Sequence, residues 1–213
     1  HTTLSPEALA AHLIAARGKN KAALVRVQSS ATPFIKSVLD AGADGIVVPQ
    51  VTSVEEVQSI VDDCRYPPTG RRGFGPLVPT NYGRIGDLPY IEAADANIFA
   101  AVMIETAAAV EAIEQIVAID GLDSIVIGPW DLSGSLGHLG QVDHPSVVEA
   151  IEHVIATTHN AGKFVGSGMP AAPNFAYTQA RRGVHWAQLG VDCSYLTQFM
   201  DQAVTDIRQK LAD

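Results

Sequence analysis

Apolar residues along this chain follow two alternating patterns: short, almost unbroken β-branched runs, and longer stretches where they return every three or four positions. The short runs predict six strands, at Ala23–Val27, Gly45–Pro49, Phe99–Ile104, Ser124–Ile127, Phe164–Gly166 and Trp186–Leu189. The amphipathic stretches predict helices at about Ser5–Arg17, Pro33–Ala41, Ser53–Cys64, Ala107–Ile119, Ser146–Ala161, Pro173–Arg182 and Tyr195–Leu211. Ser5 before Pro6 reads as a helix start and Gly18 as a stop. Runs as apolar as SIVIG and GIVVP belong to strands buried on both faces, which a parallel sheet covered by helices provides. With no Gly-rich dinucleotide turn after the first strand, the choice lies between an open doubly wound sheet and most of a (β/α)8 barrel. One segment breaks the rhythm. From Tyr66 to Asp95 prolines and glycines crowd together and predict a long loop, either a plain surface excursion or a functional one. No repeat or linker divides residues 1–213, which read as one domain.

Composition narrows the function classes. The 213 residues are 47% hydrophobic and 17% charged, enough to bury a large core. Fourteen Lys and Arg against 23 Asp and Glu leave a net charge of −9, which repels nucleic-acid backbones and anionic lipid. The most apolar run, Ile98–Ile104, is far too short to span a bilayer. The two cysteines, Cys64 and Cys193, show no metal-ligand or redox spacing, and a reducing cytoplasm is the simplest setting.

In parallel α/β folds chemistry gathers at the C-terminal ends of strands, so the residues closing each apolar run are the first candidates. Arg26 closes ALVR, Glu105 closes AAVMIE, Asp131 follows SIVIGPW, and His1 stands where an earlier strand would end. Glu105 and Asp131 come from successive strand ends, which in a parallel sheet are about 5 Å apart. Two carboxylates that close call for a cation or a shared proton, and hard oxygen donors with room for water describe an open Mg2+- or Mn2+-type site. The competing reading makes each carboxylate the cap of the helix that follows it. Arg26 needs an anionic or carbonyl partner, either a substrate carboxylate or developing enolate, or a structural pairing with Asp40 or Asp44. Gly166 and Gly168 predict backbone close to a ligand or a tight strand exit, and Trp186 predicts core filling. His138 and His144 flank a glycine-containing loop expected to be mobile beside the Asp131 strand end. Lys19, Lys21, Lys36, Lys163 and Lys210 do not close any strand, which disfavours a Schiff-base mechanism.

Taken in order, IKSVLDAGADGIVVPQV, RYPPTGRRGFG, MIET, GLDSIVIGPWDLSGSLG and HPSV resemble the class II, metal-dependent pyruvate aldolases of the HpcH/HpaI family over essentially the whole chain. The resemblance implies a (β/α)8 TIM barrel with a divalent metal (Mg2+, Mn2+ or Co2+) on Glu105 and Asp131 and no organic cofactor. It implies that Arg26 contacts the 2-oxo group and steadies an enolate. His1 and Asp40 match the pair that moves a proton, and the backbone N–H groups of Trp130 and Asp131 match the turn that receives the substrate carboxylate. Met103 and Trp130 stand where many relatives carry Gln and Ala. The implied reaction is reversible cleavage of a 4-hydroxy-2-oxo acid to pyruvate, or a close 2-oxo acid, and an aldehyde. The implied assembly is a homohexamer with the helix at residues 195–211 exchanged between subunits. Two alternatives stand beside this one. A citrate-lyase-β-like or malyl-CoA-type lyase would need a basic mouth, for which Arg71, Arg72 and Arg84 are available; a non-catalytic binding module or inactive fragment would need none. Against a typical barrel of about 250 residues, about 40 are expected to be missing ahead of His1: the first strand, the first helix and most of the second strand, with acidic residues just before His1.

Overall fold

A computed structural model describes residues 4–212. The six apolar runs form strands β1 (Leu24–Arg26), β2 (Gly45–Val48), β3 (Phe99–Ile104), β4 (Ser124–Ile127), β5 (Phe164–Met169) and β6 (Trp186–Leu189). They pair in sequence order and all in parallel, giving a curled half-barrel consistent with a truncated TIM barrel. The helices that return the chain between strands include α1 (Pro6–Gly18), α2 (Thr32–Asp40), α3 (Val54–Cys64) and α4 (Asp87–Asn97). After β3 come α5 (Ala107–Glu111) and α6 (Ile113–Val117), after β4 come α7 (Pro129–Ser135) and α8 (Pro145–Asn160), and α9 (Pro173–Arg181) and α10 (Asp192–Ala212) complete the set. Among the described residues no helix is long and apolar enough to cross a membrane.

Side chains alternate across a strand, so the curl divides the apolar residues into two clusters. Ile46, Val48, Val102, Ile104, Ile125 and Val165 face the helices and belong to the larger core. Val47, Ala101, Met103 and Val126 face the concave side and form a second cluster with Phe99 and Trp186. One concave row runs through the register as Arg26, Val47, Ala101, Ser124 and Phe164. The row above it is Met103, Val126, Gly166 and Trp186. With apolar residues on both faces, period-two alternation vanishes from the sequence, which is why these strands read as solid runs.

The Trp186 indole lies across Gly166 and donates from Nε1 to Ser124 Oγ at 3.0 Å. A Cβ on Gly166 would stand 2.4 Å from Trp186 Cε2. Gly166 is therefore a glycine because a core indole needs its space, not a ligand, and Trp186 fills core as its sequence position suggests. Three elements differ from expectation. Helix α4 forms inside the Pro/Gly-rich segment, with Pro89 in its first turn, where a proline costs no hydrogen bond, and Tyr90 and Ala94 turned inward. The stretch expected as one helix over Ala107–Ile119 breaks at Ala112 into α5 and α6. Helix α7 follows Gly128 directly, with Pro129 at its start.

Substituting G166A pushes a methyl group into the indole and is expected to lower unfolding free energy by about 1–3 kcal/mol, the usual range for overpacking. Urea denaturation followed by tryptophan fluorescence measures it.

Candidate active site

Glu105 is the residue that follows β3 on its concave side, and it is only 3% exposed. The next residue, Thr106, caps α5 by accepting from Ala109 N at 3.1 Å and donates its hydroxyl to Val51 O at 3.0 Å. The end of β3 is thereby tied to the end of β2. From β2, the Gln50 backbone N–H reaches the carboxylate at Oε1, 2.7 Å away. Gln50 makes this approach with φ at 55°, a left-handed conformation uncommon outside glycine and frequent at working sites. Oε2 lies against Gly128, where a Cβ would come within 2.4 Å. A side chain there would displace the carboxylate, so Gly128 is required.

Gly128 also opens α7, with no side-chain cap and with Asp131 in its first turn. Neither carboxylate acts as a helix cap: Thr106 does that work for α5, and α7 starts on a glycine. Glu105 is thus free of any capping role, while Asp131, though not the N-cap, does lie in the first turn of α7, where a negative charge favours the helix. Burial is the largest influence on Glu105 and pushes its pKa above the ordinary carboxylate range. The Gln50 N–H opposes the shift, the Asp131 charge adds to it, and the Arg26 guanidinium opposes it. These influences bring Arg26, Glu105 and Asp131 into one electrostatic neighbourhood, from the ends of β1, β3 and β4. Arg26 itself is solvent-exposed. Its two proposed structural partners are committed elsewhere: Asp44 accepts from Ala23 N at 2.8 Å, and Asp40 pairs with Lys36 and Arg72.

The donor set suits a hard divalent cation. One carboxylate is desolvated and held by a single N–H, a second lies near enough for its charge to act on the first, and a glycine stands beside it. Among the described residues no group of three or more His, Cys, Asp and Glu gathers, so Glu105 and Asp131 would leave most positions on such an ion to substrate and water.

Other candidates lie apart. Asp40 is the last residue of α2, at the end of the sheet where strands begin, so this chain does not bring it to its own Glu105. His1 lies outside the described residues. Trp130 is exposed, with its ring against Gly140, whose N–H donates to Ser133 Oγ at 2.9 Å. Ser133 in turn donates to Trp130 O at 2.7 Å, so the loop expected to be mobile is pinned to α7, and its two histidines stack with ring centroids 3.5 Å apart. Two of the three arginines expected at a basic mouth are paired with carboxylates elsewhere, and the exposed Arg84 makes one local contact. Arg71 pairs with the buried Asp63 at 2.7 Å, Arg72 is buried against Asp40, and Arg84 donates to Asn81 O at 3.3 Å. Gln50 was not visible in the sequence, since neither its backbone conformation nor its neighbour across 55 residues leaves a local pattern.

Residues 6–198 match the model of the family described as HpcH/HpaI aldolase/citrate lyase. The chain belongs to that family. A hydroxypyruvate/pyruvate aldolase of Roseovarius nubinhibens is 33% identical over 210 residues, covering 98% of this chain and 80% of the relative. One of the same name from Roseobacter denitrificans is 39% identical over 156 residues, 72% of this chain and 60% of the relative. The crystal structure of an HpcH/HpaI aldolase from Desulfitobacterium hafniense superimposes with a TM-score of 0.91 at 28% identity, over 98% of this chain and 80% of that one. The HpcH/HpaI chain described here is thus of the class II pyruvate aldolase kind, a carbon–carbon lyase family.

The raised Glu105 pKa has a sign that can be checked in EDTA. The folded state binds this proton more tightly than the unfolded state, so the stability it contributes is full below the ordinary carboxylate range and is lost as pH rises through the raised value. E105Q is expected to exceed the parent in stability near neutral pH, with the difference closing at acid pH, as read by urea denaturation across pH.

Proposed function

We propose that the protein catalyses divalent-metal-dependent, reversible aldol cleavage of 4-hydroxy-2-oxo acids to pyruvate, or a close 2-oxo acid, and an aldehyde. The observation carrying this reading is the buried Glu105 carboxylate seated against Gly128 at the end of β3, with the charges of Arg26 and Asp131 acting on it from the ends of β1 and β4. Cleavage breaks the C3–C4 bond as the C4 hydroxyl gives up its proton, and the bond's electron pair becomes an enolate. A divalent cation held by Glu105 and Asp131 would supply Lewis-acid stabilisation of negative charge developing on oxygen. Arg26 contributes a cation from the end of β1 to the same developing charge. The Trp130 and Asp131 N–H groups, in the uncapped first turn of α7, orient the substrate carboxylate. Met103, 8% exposed in the concave cluster, closes the floor with an apolar surface.

His1 and Asp40 move the proton in this reading. Asp40 stands at the opposite end of the sheet from its own Glu105, so it serves a second copy of the chain. A homohexamer with α10 exchanged would bring copies together. Leu196, Phe199, Met200 and Leu211 on α10 are each more than half exposed, a stripe that suits burial against a neighbour. A CoA-ester lyase is disfavoured, because two of the three arginines it would draw on, Arg71 and Arg72, are paired with Asp63 and Asp40.

EDTA is expected to abolish both pyruvate aldol turnover and oxaloacetate decarboxylation, and Mg2+, Mn2+ or Co2+ to restore them. Activity that survives chelation, or no activity with any metal, overturns the reading. R26M is expected to lower kcat by about 10²–10³-fold, the loss seen when one preorganised charge-stabilising donor is removed.

A further inference from the structure

The motif RYPPTGRRG builds a buried charge that the active-site chemistry above leaves unexplained. Its backbone folds tightly against α3: Gly70 N donates to Tyr66 O at 2.9 Å, Arg71 N to Asp62 O at 2.8 Å and Arg72 N to Arg65 O at 2.8 Å. A Cβ on Gly70 would stand 2.4 Å from Asp62 O, so only glycine permits this approach. Arg71 then locks the loop onto buried Asp63, which also accepts from Thr32 Oγ1 at the start of α2. The result places Arg72 inside, its side chain fully buried, with the guanidinium 4.7 Å above the Tyr66 ring.

Arg72 is sparsely paired for a buried cation. Nη2 donates to Asp40 Oδ1 at 2.8 Å, while Nε and Nη1 have no hydrogen-bond partner, and neither has the Tyr66 hydroxyl beneath. Asp40 is the polar group that links this interior to the surface. Its side chain is 19% exposed, and its second oxygen meets Lys36, itself 34% exposed. A buried guanidinium that gives up two donors in order to hold one oxygen of a surface carboxylate is a poor stabilising device, since an apolar side chain of similar size would fill the space at less cost. It is a good orienting device. The planar fork fixes the direction of Oδ1, and Lys36 alone, on a flexible stem, could not.

We propose that Arg72 is a positioning residue for Asp40, holding its carboxylate rigid at the surface so that a second copy of the chain can use it in proton transfer. This rests on the assignment of Asp40 above. Around Asp40 the charged and titratable groups are Lys36 from its own helix, Arg72 and Tyr66 from the loop, and Arg17 of α1, which lies over Gly42 two residues on.

The test measures aldol turnover for D40N, R72M, R72K and the D40N/R72M double variant, beside E105Q, in the purified oligomer, with thermal unfolding to confirm folded protein. R72M is expected to lower kcat by about 10²-fold, within the range for a displaced general acid–base group, with KM for pyruvate little changed. R72K should recover part of the loss, and the double variant should be no slower than D40N. Mixing R72M with E105Q chains should restore about a quarter of parental turnover, the share of sites in a random symmetric assembly that pair an intact metal end with an intact Asp40 donor. D40N slow with R72M at parental kcat, or multiplying losses, would overturn the role of Arg72 alone, and no restoration on mixing would overturn the use of Asp40 by a second copy. D40N at parental kcat with E105Q inactive would overturn the assignment of Asp40, and this inference with it.

Discussion

Taking the Glu105 carboxylate out of water costs several kcal/mol, and the arrangement at the C-terminal end of the sheet follows from how that cost is met. One charge-assisted hydrogen bond, from Gln50, recovers about 1.5–3 kcal/mol. Arg26 opposes the remaining penalty, while Asp131 adds to it. A protein gains nothing in stability by moving a second carboxylate toward a buried first one. The arrangement makes physical sense when positive charge arrives between them, and family membership places the chain among proteins whose chemistry uses that end of the barrel. Gly128 and the left-handed Gln50 are the backbone concessions that hold the carboxylate where it is.

The two ends of the sheet divide the work. Where strands finish, Glu105 is buried and held by Gln50 and Gly128, while Arg26 and Asp131 are exposed to solvent. Where strands begin, the restraint is dense. Arg65 reaches Gly121 O at 3.2 Å, Lys163 reaches Leu122 O at 2.6 Å, and the Asp123 carboxylate accepts from Ala100 N at 2.8 Å. These ties pull neighbouring βα units into register, so the strand ends above them stay fixed. The concave packing of Phe99, Met103, Val126 and Trp186 supports that end from within. Trp186 is satisfied by Ser124 and seated on Gly166, so the concave floor is rigid without polar groups left open there.

The sequence determined the strands, the parallel α/β class and the strand-end residues Arg26, Glu105 and Asp131. Each of these leaves a signal within one element: an apolar run, and the residue that ends it. Helix α4 was hidden because its helical pattern is short and begins among prolines and glycines. Only the tertiary structure decided which residues meet. The Gln50 N–H finds Glu105 across 55 residues and Arg72 finds Asp40 across 32, and no local period encodes such distances. The fold likewise separated residues that look alike in the chain: Arg71 and Arg72 of one loop went to ion pairs with Asp63 and Asp40, and Asp40 went to the opposite end from the carboxylates it was expected to assist. Hydrophobic periodicity and capping act over a few residues and can be read in order. The choice of a charged partner depends on which ends of which elements come together, and that is settled only when the sheet has curled.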